Sequence, residues 1–204
     1  MPVNTSDMSR RERKKEATRL HIIEEAMRLF RAQGFDGTTM EQIAAEADVS
    51  KATLYKYFPL KEAIVAGYWK SSVDQKSDLL PQLLASVPDT KGRILAVFLS
   101  AASTFKSEPE FARIQFKYQF QRMGEQLLDK SERSGFEGFL ERLLQEGQKQ
   151  GDIRGDIPAC EMASHLLFLF TSTCLFWFSD PDMFPIERRL NQIVDIFIEG
   201  AQRV

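Results

Sequence analysis

Residues 38–62 constrain this chain most, because their pattern predicts two short helices joined by a tight turn. One face of the first helix carries apolar residues at intervals of three and four, namely Met40, Ile43, Ala44 and Ala47. Thr38 with Glu41 and Thr39 with Gln42 both fit a capping box, so the capping residue stays open. Two helices this short are not stable alone, because helix nucleation is costly. They are expected to pack together as a helix-turn-helix.

The second short helix has an outer face suited to DNA. Ser50 is a good N-cap, and Leu54 and Phe58 lie four residues apart on the inner face. No acid occurs between Ser50 and Leu60, and the outer face carries two cations, hydroxyl groups and flat rings: Lys51, Thr53, Tyr55, Lys56 and Tyr57. In a major groove, cations meet phosphate and hydroxyl groups reach base edges.

A longer string of residues frames these two helices: Gly34-Phe35, Thr38-Thr39, Ile43-Ala44, Ala47, Val49-Ser50, Thr53-Leu54-Tyr55, Tyr57-Phe58 and Lys61-Glu62. The string resembles the TetR (tetracycline-repressor) family of transcriptional regulators. The family usually has Gly where this chain has Asp48, a residue type that tolerates positive φ better than most. It often has His where this chain has Tyr57, and a phenol can still donate to phosphate.

The resemblance implies an all-α fold with two domains. Residues 14–74 would form a three-helix, helix-turn-helix DNA-binding domain, joined through a shared helix to a helical effector-binding and dimerisation domain over residues 75–204. It also implies a repressor that a small molecule releases from double-stranded operator DNA; an activator, or a regulator without a ligand, stays open. The expected DNA contacts are Thr39, Met40, Ser50, Lys51, Ala52, Thr53, Tyr55, Lys56, Tyr57 and Lys61.

Within this set, the roles divide by chemistry and by the resemblance. Lys51, Thr53 and Lys56 are the candidates for base edges. By the resemblance, Tyr55, Tyr57 and Lys61 contact phosphates, as does the start of the preceding helix. Partial core packing is the alternative for the two tyrosines, since tyrosine often buries one face.

The charge distribution supports one basic face on a chain that is not a general polycation. The net charge is −2. Residues 1–70 hold 12 Lys+Arg and 10 Asp+Glu, a balance of +2, and the other 15 and 19 give −4 after residue 70. Basic residues concentrate over 10–19, where a solvated face is the plain interpretation. Beside a helix-turn-helix, the same stretch can reach phosphate or the minor groove.

Beyond residue 75 the apolar spacing predicts helices and no strand. A fourth helix runs from near Leu60 towards Leu80, and Pro81 marks its kink or end. The later segments are marked by Ile94–Phe105, Glu108–Gln126, Phe136–Leu144, Ala159–Phe178 and Ile186–Ile198.

The last two helices predict a homodimer. Leu190, Ile193 and Phe197 repeat at intervals of three and four, and with Val194 they form a seam. The preceding helix is apolar nearly all round from Leu166 to Phe178, so it is expected to be fully buried. A four-helix bundle built from two copies would cover both faces.

A ligand pocket is expected in the second domain, where 13 of the 16 phenylalanines lie. Most of these rings are ordinary core, but pockets in helical bundles are lined by the same residue types. Such a lining favours an apolar or aromatic ligand, which would act on the DNA-binding domain through the fourth helix. The predicted lining, between the fourth and eighth helices, is Phe98, Phe105, Phe116, Phe120, Phe168 and Trp177.

Other functional classes find weaker support. Cys160 with His165, or Glu108 with Glu110, are the candidate parts of an enzyme, yet neither pair belongs to a nucleophile motif. An interaction protein with a vestigial helix-turn-helix is disfavoured by the intact outer face.

Two cysteines indicate neither a disulfide framework nor a zinc site, and no cofactor is expected. A polar start without an apolar leader, and an apolar run too short for a membrane span, predict a cytoplasmic protein that does not enter a membrane.

Overall fold

The computed structural model describes residues 9–77, 80–126 and 135–201, and these form ten helices. No strand occurs in those ranges, and the all-α prediction is confirmed. The chain divides into two compact units, Met1–Trp69 and Lys70–Val204. In chain order the helices are α1 Arg10–Gln33, α2 Met40–Glu46, α3 Lys51–Tyr57, α4 Lys61–Ser77, α5 Leu80–Ser86, α6 Thr90–Ser107, α7 Pro109–Gln126, α8 Gly135–Gln150, α9 Ala159–Ser179 and α10 Ile186–Ala201.

The first unit is built on α1, whose two ends are both fixed locally. Ser9 and Glu12 form a reciprocal capping box at its start. At its end Gly34 has φ +82°, in the left-handed region, and its N–H donates to the carbonyl of Phe30 at 3.0 Å. The inner face of α1 packs under α2, with the rings of Phe30 and Phe35 4.9 Å apart. This scaffold holds α2 and α3, which are each only seven residues long.

The second unit has one apolar core, shared by α6, α8, α9 and α10. Aromatic rings dominate it: Phe98 stacks on Phe170 with centroids 4.4 Å apart, and Phe105 meets Phe116 edge to face at 5.2 Å. Such offset and edge-to-face pairs stabilise a core beyond the area they bury.

A buried guanidinium orders the loop that enters α6. Arg93 is fully buried, and it donates to the carbonyls of Val87 and Pro88 at 2.7 and 3.0 Å. It also donates to the side chain of Gln150 at 2.6 Å, which ties α6 to the end of α8. A buried charge is tolerated only where its donors are satisfied in this way.

Pro81, predicted to mark the kink or end of the fourth helix, lies in the first turn of α5, where a missing N–H costs no hydrogen bond. Within a single chain α9 is not covered all round, since Phe168 and Phe176 are 59% and 61% exposed, and its full burial stays a prediction that depends on a second copy.

One helix in the described ranges, α9, could cross a membrane by length and composition alone, with a mean hydropathy of 1.4. Its packing against α8 and α10 is also what a core helix shows.

Candidate nucleic-acid interface

Thr39 is the residue that caps α2. Its N–H donates to Gln42 Oε1 at 2.8 Å, and the N–H of Gln42 donates to Thr39 Oγ1 at 3.2 Å. Thr38 is buried instead, and its hydroxyl donates to the carbonyl of Gly34 at 2.8 Å. The two threonines therefore have different tasks. Thr38 closes the loop after α1, and Thr39 starts α2 with an exposed side chain.

The turn between α2 and α3 is a Schellman motif closed by Asp48. Asp48 has φ +49°, and its N–H donates to the carbonyl of Ala45 at 3.2 Å. The N–H of Val49 donates to the carbonyl of Ala44 at 3.0 Å. These are the two bonds of that motif, which normally places Gly at the left-handed position. The turn is thus kept with an aspartate in place of the family's glycine.

α3 presents most of its predicted face to solvent. Ser50 Oγ accepts from the N–H of Thr53 at 3.1 Å and lies 2.8 Å from the Thr53 hydroxyl, so the helix start is capped. Leu54 is fully buried and fixes the rotation of the helix. Lys51, Ala52, Tyr55 and Lys56 are consequently exposed, whereas Thr53 and Tyr57 are half-buried.

Tyr55 and Tyr57 have different surroundings. Tyr55 is exposed, so the alternative of partial core packing applies to Tyr57 rather than to Tyr55.

One acid lies beside this face. Glu41, on α2, is 3.2 Å from the ammonium of Lys51. A hydrogen bond from its own backbone N–H and the bond and charge of Lys51 hold the pKa of Glu41 below its ordinary value. Both side chains are more than half exposed, so the pair adds little to stability but does orient Lys51.

The basic start of α1 is helical from Arg10, rather than an extended arm. All five cations between Arg10 and Lys15 are exposed, and Glu12 is the acid among them. Further along, Arg19 is only partly exposed and pairs with Glu16 at 2.7 Å. The free cationic surface of α1 is therefore concentrated in its first turns.

Two predicted DNA contacts have other surroundings than expected. The side chain of Met40 is buried in the core, so only its backbone N–H can face a phosphate. Lys61 is half-buried, and its ammonium donates to the carbonyls of Phe35 and Thr38 at 2.6 and 2.8 Å. The same ammonium lies 4.5 Å from the centroid of the Phe35 ring. Lys61 thus ties the start of α4 to the loop that precedes α2.

The predicted ligand lining is split between core and surface. Phe98, Phe116 and Trp177 are buried and Phe105 is half-buried, all within the core of the second unit. Phe120 and Phe168 are corrected, because they are 60% and 59% exposed and lie on outer helix faces. Apolar spacing cannot distinguish these faces, since both carry large hydrophobic residues.

The predicted dimer seam is also corrected in part. Leu190 and Val194 are fully buried inside the chain, so they cannot contact a partner, while Ile193 and Phe197 are half-buried. The exposed apolar surface lies one face further round. A surface groove there is lined by Ser172, Thr173 and Phe176 of α9 and by Arg189, Gln192, Ile193 and Ile196 of α10.

The residues weighed for an enzyme do not form a recognisable site. Cys160 is half-buried and His165 is exposed, and five residues place them on different faces of α9. Cys174 is fully buried, and burial raises the pKa of its thiol, which disfavours the reactive thiolate. Within the residues that the structure describes, no group of three potential metal ligands occurs.

Comparison with known sequences is consistent with the local geometry. The sequence profile of the bacterial regulatory proteins, tetR family, matches residues 22–68. The HTH-type transcriptional regulator TcmR of Streptomyces glaucescens is 44% identical over 54 residues, which span 26% of this chain and 24% of TcmR. The fatty acid metabolism regulator protein of Bacillus subtilis is 20% identical over 184 residues, 89% of this chain and 94% of that protein.

The whole fold has known counterparts. The crystal structure of Thermus thermophilus FadR, a TetR-family transcriptional repressor in complex with lauroyl-CoA, has a TM-score of 0.75 at 23% identity. The alignment covers 91% of this chain and 96% of that one. At this identity the likeness concerns the fold alone. Residues 22–68 thus resemble the tetR family of bacterial regulatory proteins, and the all-α fold of the whole chain is similar to that of the Thermus thermophilus repressor.

Proposed function

We propose that this protein is a cytoplasmic, dimeric transcriptional repressor that leaves a palindromic operator when a small apolar molecule binds its second unit. The observation that carries the proposal is the outer face of α3, which is capped, rotationally fixed by Leu54 and rich in exposed cations and hydroxyl groups. An activator with the same DNA-binding surface is the second candidate, since the sign of regulation depends on where the operator lies.

On DNA, α3 would enter the major groove and supply the sequence preference. Lys51, Thr53 and Lys56 are proposed at base edges. Tyr55 and Tyr57 are proposed at phosphates, as are Thr39 and the backbone N–H at the start of α2. Phosphate contacts fix the register, whereas base contacts carry the sequence information.

Selection of bound genomic fragments, followed by gel shift, tests the DNA-binding part. The Thr53→Ala variant should change the preferred bases, and the Tyr55→Phe variant should weaken binding evenly across sequences. A Thr53→Ala variant with unchanged affinity and preference would contradict this orientation of α3. The position of the selected sites relative to the neighbouring promoters would distinguish a repressor from an activator, and the neighbouring genes would suggest the chemistry of the effector.

The dimer is proposed through the groove between α9 and α10. Phe176 and Ile196 lie along it and are 61% and 66% exposed. Large exposed apolar side chains among polar residues such as Arg189 and Asp195, on two long helices, are typical of an interface between protein chains. If this groove packs against its two-fold copy, α9 and α10 of the two chains would form a four-helix bundle. The two copies of α3 would then lie on one face of the DNA.

Sedimentation of charged variants tests the dimer. Phe176→Glu with Ile196→Glu should give a folded monomer, because both side chains are exposed and their replacement leaves the core intact. Phe120→Glu is the matched control, since it places the same charge on an exposed phenylalanine outside the groove. A folded double variant that still sediments as a dimer would contradict this interface.

The effector is proposed to be a molecule with a long apolar part, of which a fatty acyl thioester is the first to test. The aromatic core of the second unit supports an apolar ligand. Lauroyl-CoA, the molecule in complex with the Thermus thermophilus structure, is therefore a rational first probe.

Release of DNA would follow from a population shift carried by α4, which begins at Lys61 in the first unit and ends at Ser77 in the second. A hundredfold loss of operator affinity needs a coupling of only about 2.7 kcal/mol. Linkage requires operator DNA to weaken lauroyl-CoA binding by the same factor. Equal lauroyl-CoA affinity with and without operator would exclude this molecule as the inducer.

A further inference from the structure

Gln115, on α7, carries a buried acceptor that nothing in the described part of the chain satisfies. The residue is 8% exposed, and its Oε1 has no hydrogen-bond partner there. It lies on the buried stripe of α7, which also includes Phe111, Ala112 and Phe116. Phe111 and Ala112 lie one helical turn before Gln115 on the same face of α7.

Such an acceptor costs stability unless a donor reaches it. A leucine at this position would keep the apolar stripe of α7 and avoid that cost. Buried polar groups without partners are uncommon in native proteins, and functional sites are one place where they occur. The position of Gln115 is therefore better explained by a ligand than by folding.

The helix that carries Gln115 also contributes to the aromatic core of the second unit. The ring of Phe116, the next residue along α7, lies 5.2 Å from the ring of Phe105 and 5.5 Å from that of Phe178. Phe105 in turn lies 6.1 Å from Phe170. A buried acceptor on a helix that packs into an aromatic core matches an apolar molecule that carries a single polar group.

We propose that Gln115 is the polar anchor of the effector site, and that the effector presents a hydrogen-bond donor, a hydroxyl or an amide N–H, to its carboxamide oxygen. This rests on the proposed effector binding in the second unit and narrows it to donor-bearing apolar molecules. Acyl thioesters of coenzyme A remain in this class, because their pantetheine arm contains amide N–H groups.

The test compares two probes by calorimetric titration of the full chain: 1-decanol, and decyl methyl ether, in which a methyl group replaces the hydroxyl hydrogen. The ether keeps the chain and the oxygen but has no donor. The unaltered protein should bind the alcohol about tenfold more tightly, as expected for one buried hydrogen bond. Gln115→Leu should bind both probes equally, with the ether affinity kept, and its thermal midpoint without ligand should rise.

Two further variants make the test decisive. Gln119→Leu, the same change one helical turn along on a half-buried side chain, should keep the preference for the alcohol. Gln115→Glu keeps an acceptor oxygen and should therefore also prefer the alcohol. This variant serves as the second test if Gln115→Leu does not fold.

Three results would overturn the inference. In the first, the unaltered protein binds alcohol and ether equally, which leaves the proposed effector binding standing. In the second, Gln115→Leu weakens both probes alike, which indicates a structural role. In the third, neither probe nor lauroyl-CoA binds, which removes the proposed effector function as well.

Discussion

Replacing Lys61 with methionine separates two roles that this residue could have. Its ammonium donates to two main-chain carbonyls, those of Phe35 and Thr38, and lies over the Phe35 ring. Thr38 directly precedes the cap of α2, so the lysine holds the segment from which that helix starts. The structure therefore assigns Lys61 to positioning α2, whereas the resemblance alone assigns it to a phosphate.

The magnitude follows from these contacts. A hydrogen bond from a charged donor contributes about 1.5–3 kcal/mol, and a cation–π contact at a partly exposed site about 0.5–1 kcal/mol. Because Lys61 is half-exposed and water can replace part of what is lost, we expect Lys61→Met to lower the free energy of unfolding by about 2 kcal/mol. Methionine keeps most of the apolar part of the lysine side chain, so the loss of stability measures the contribution of the ammonium group.

Urea denaturation and the salt dependence of DNA binding measure the two roles separately. Lys56→Met is the matched control, because Lys56 is exposed on α3. The control should leave stability within about 0.5 kcal/mol and should weaken the preference for the operator sequence, because Lys56 is proposed at a base edge. Lys61→Met should lower the free energy of unfolding by about 2 kcal/mol and leave the salt slope of DNA binding unchanged. Unchanged stability together with a salt slope lower by about one would refute the positioning role and restore the phosphate contact.

Three other predictions concern single positions. Asp48→Gly should raise the free energy of unfolding by up to about 1 kcal/mol in urea denaturation, because glycine adopts the left-handed backbone without strain. Asp48→Val should lower it by about 1–2 kcal/mol, because a β-branched residue is strained there. Equal effects of the two variants would contradict the Schellman turn. In the folded protein one thiol, Cys160, should react with a disulfide reagent, and Cys174 should react only in denaturant; rapid modification of both would show that the core of the second unit opens. Glu41→Gln should strengthen DNA binding in a low-salt gel shift, because it removes an acid beside Lys51; weaker binding would mean that the carboxylate itself contacts DNA.

The sequence predicts the helix-turn-helix well because local chemistry determines it. Ser50 caps α3 and Leu54 fixes its inner face whatever the rest of the chain does. The choice between Thr38 and Thr39 as the cap of α2 could not be made from sequence, since both fit the pattern. The hydrogen bond from the Thr38 hydroxyl to Gly34 decides it, and that bond depends on how α1 ends.

The second unit is less predictable, because its helices carry apolar residues on more than one face. On α10, Leu190 and Val194 of the predicted seam are buried inside the chain, whereas Ile196 on another face is exposed. Helical spacing reports that a face is apolar, not which neighbour covers it. For the same reason it could not place Phe120 and Phe168 on the surface. Gln115 escaped notice, since one polar residue in a buried stripe leaves the period unchanged.

The most direct test of the account is methylation protection of guanine N7 on the best selected operator fragment. N7 lies in the major groove, where α3 is proposed to bind. A dimer with α3 in the major groove should give two protected patches in inverted repeat, with centres about 10 base pairs apart or a little more. Both patches should be lost in the monomeric Phe176→Glu, Ile196→Glu variant. A single protected patch, or an operator without two-fold symmetry, would contradict it.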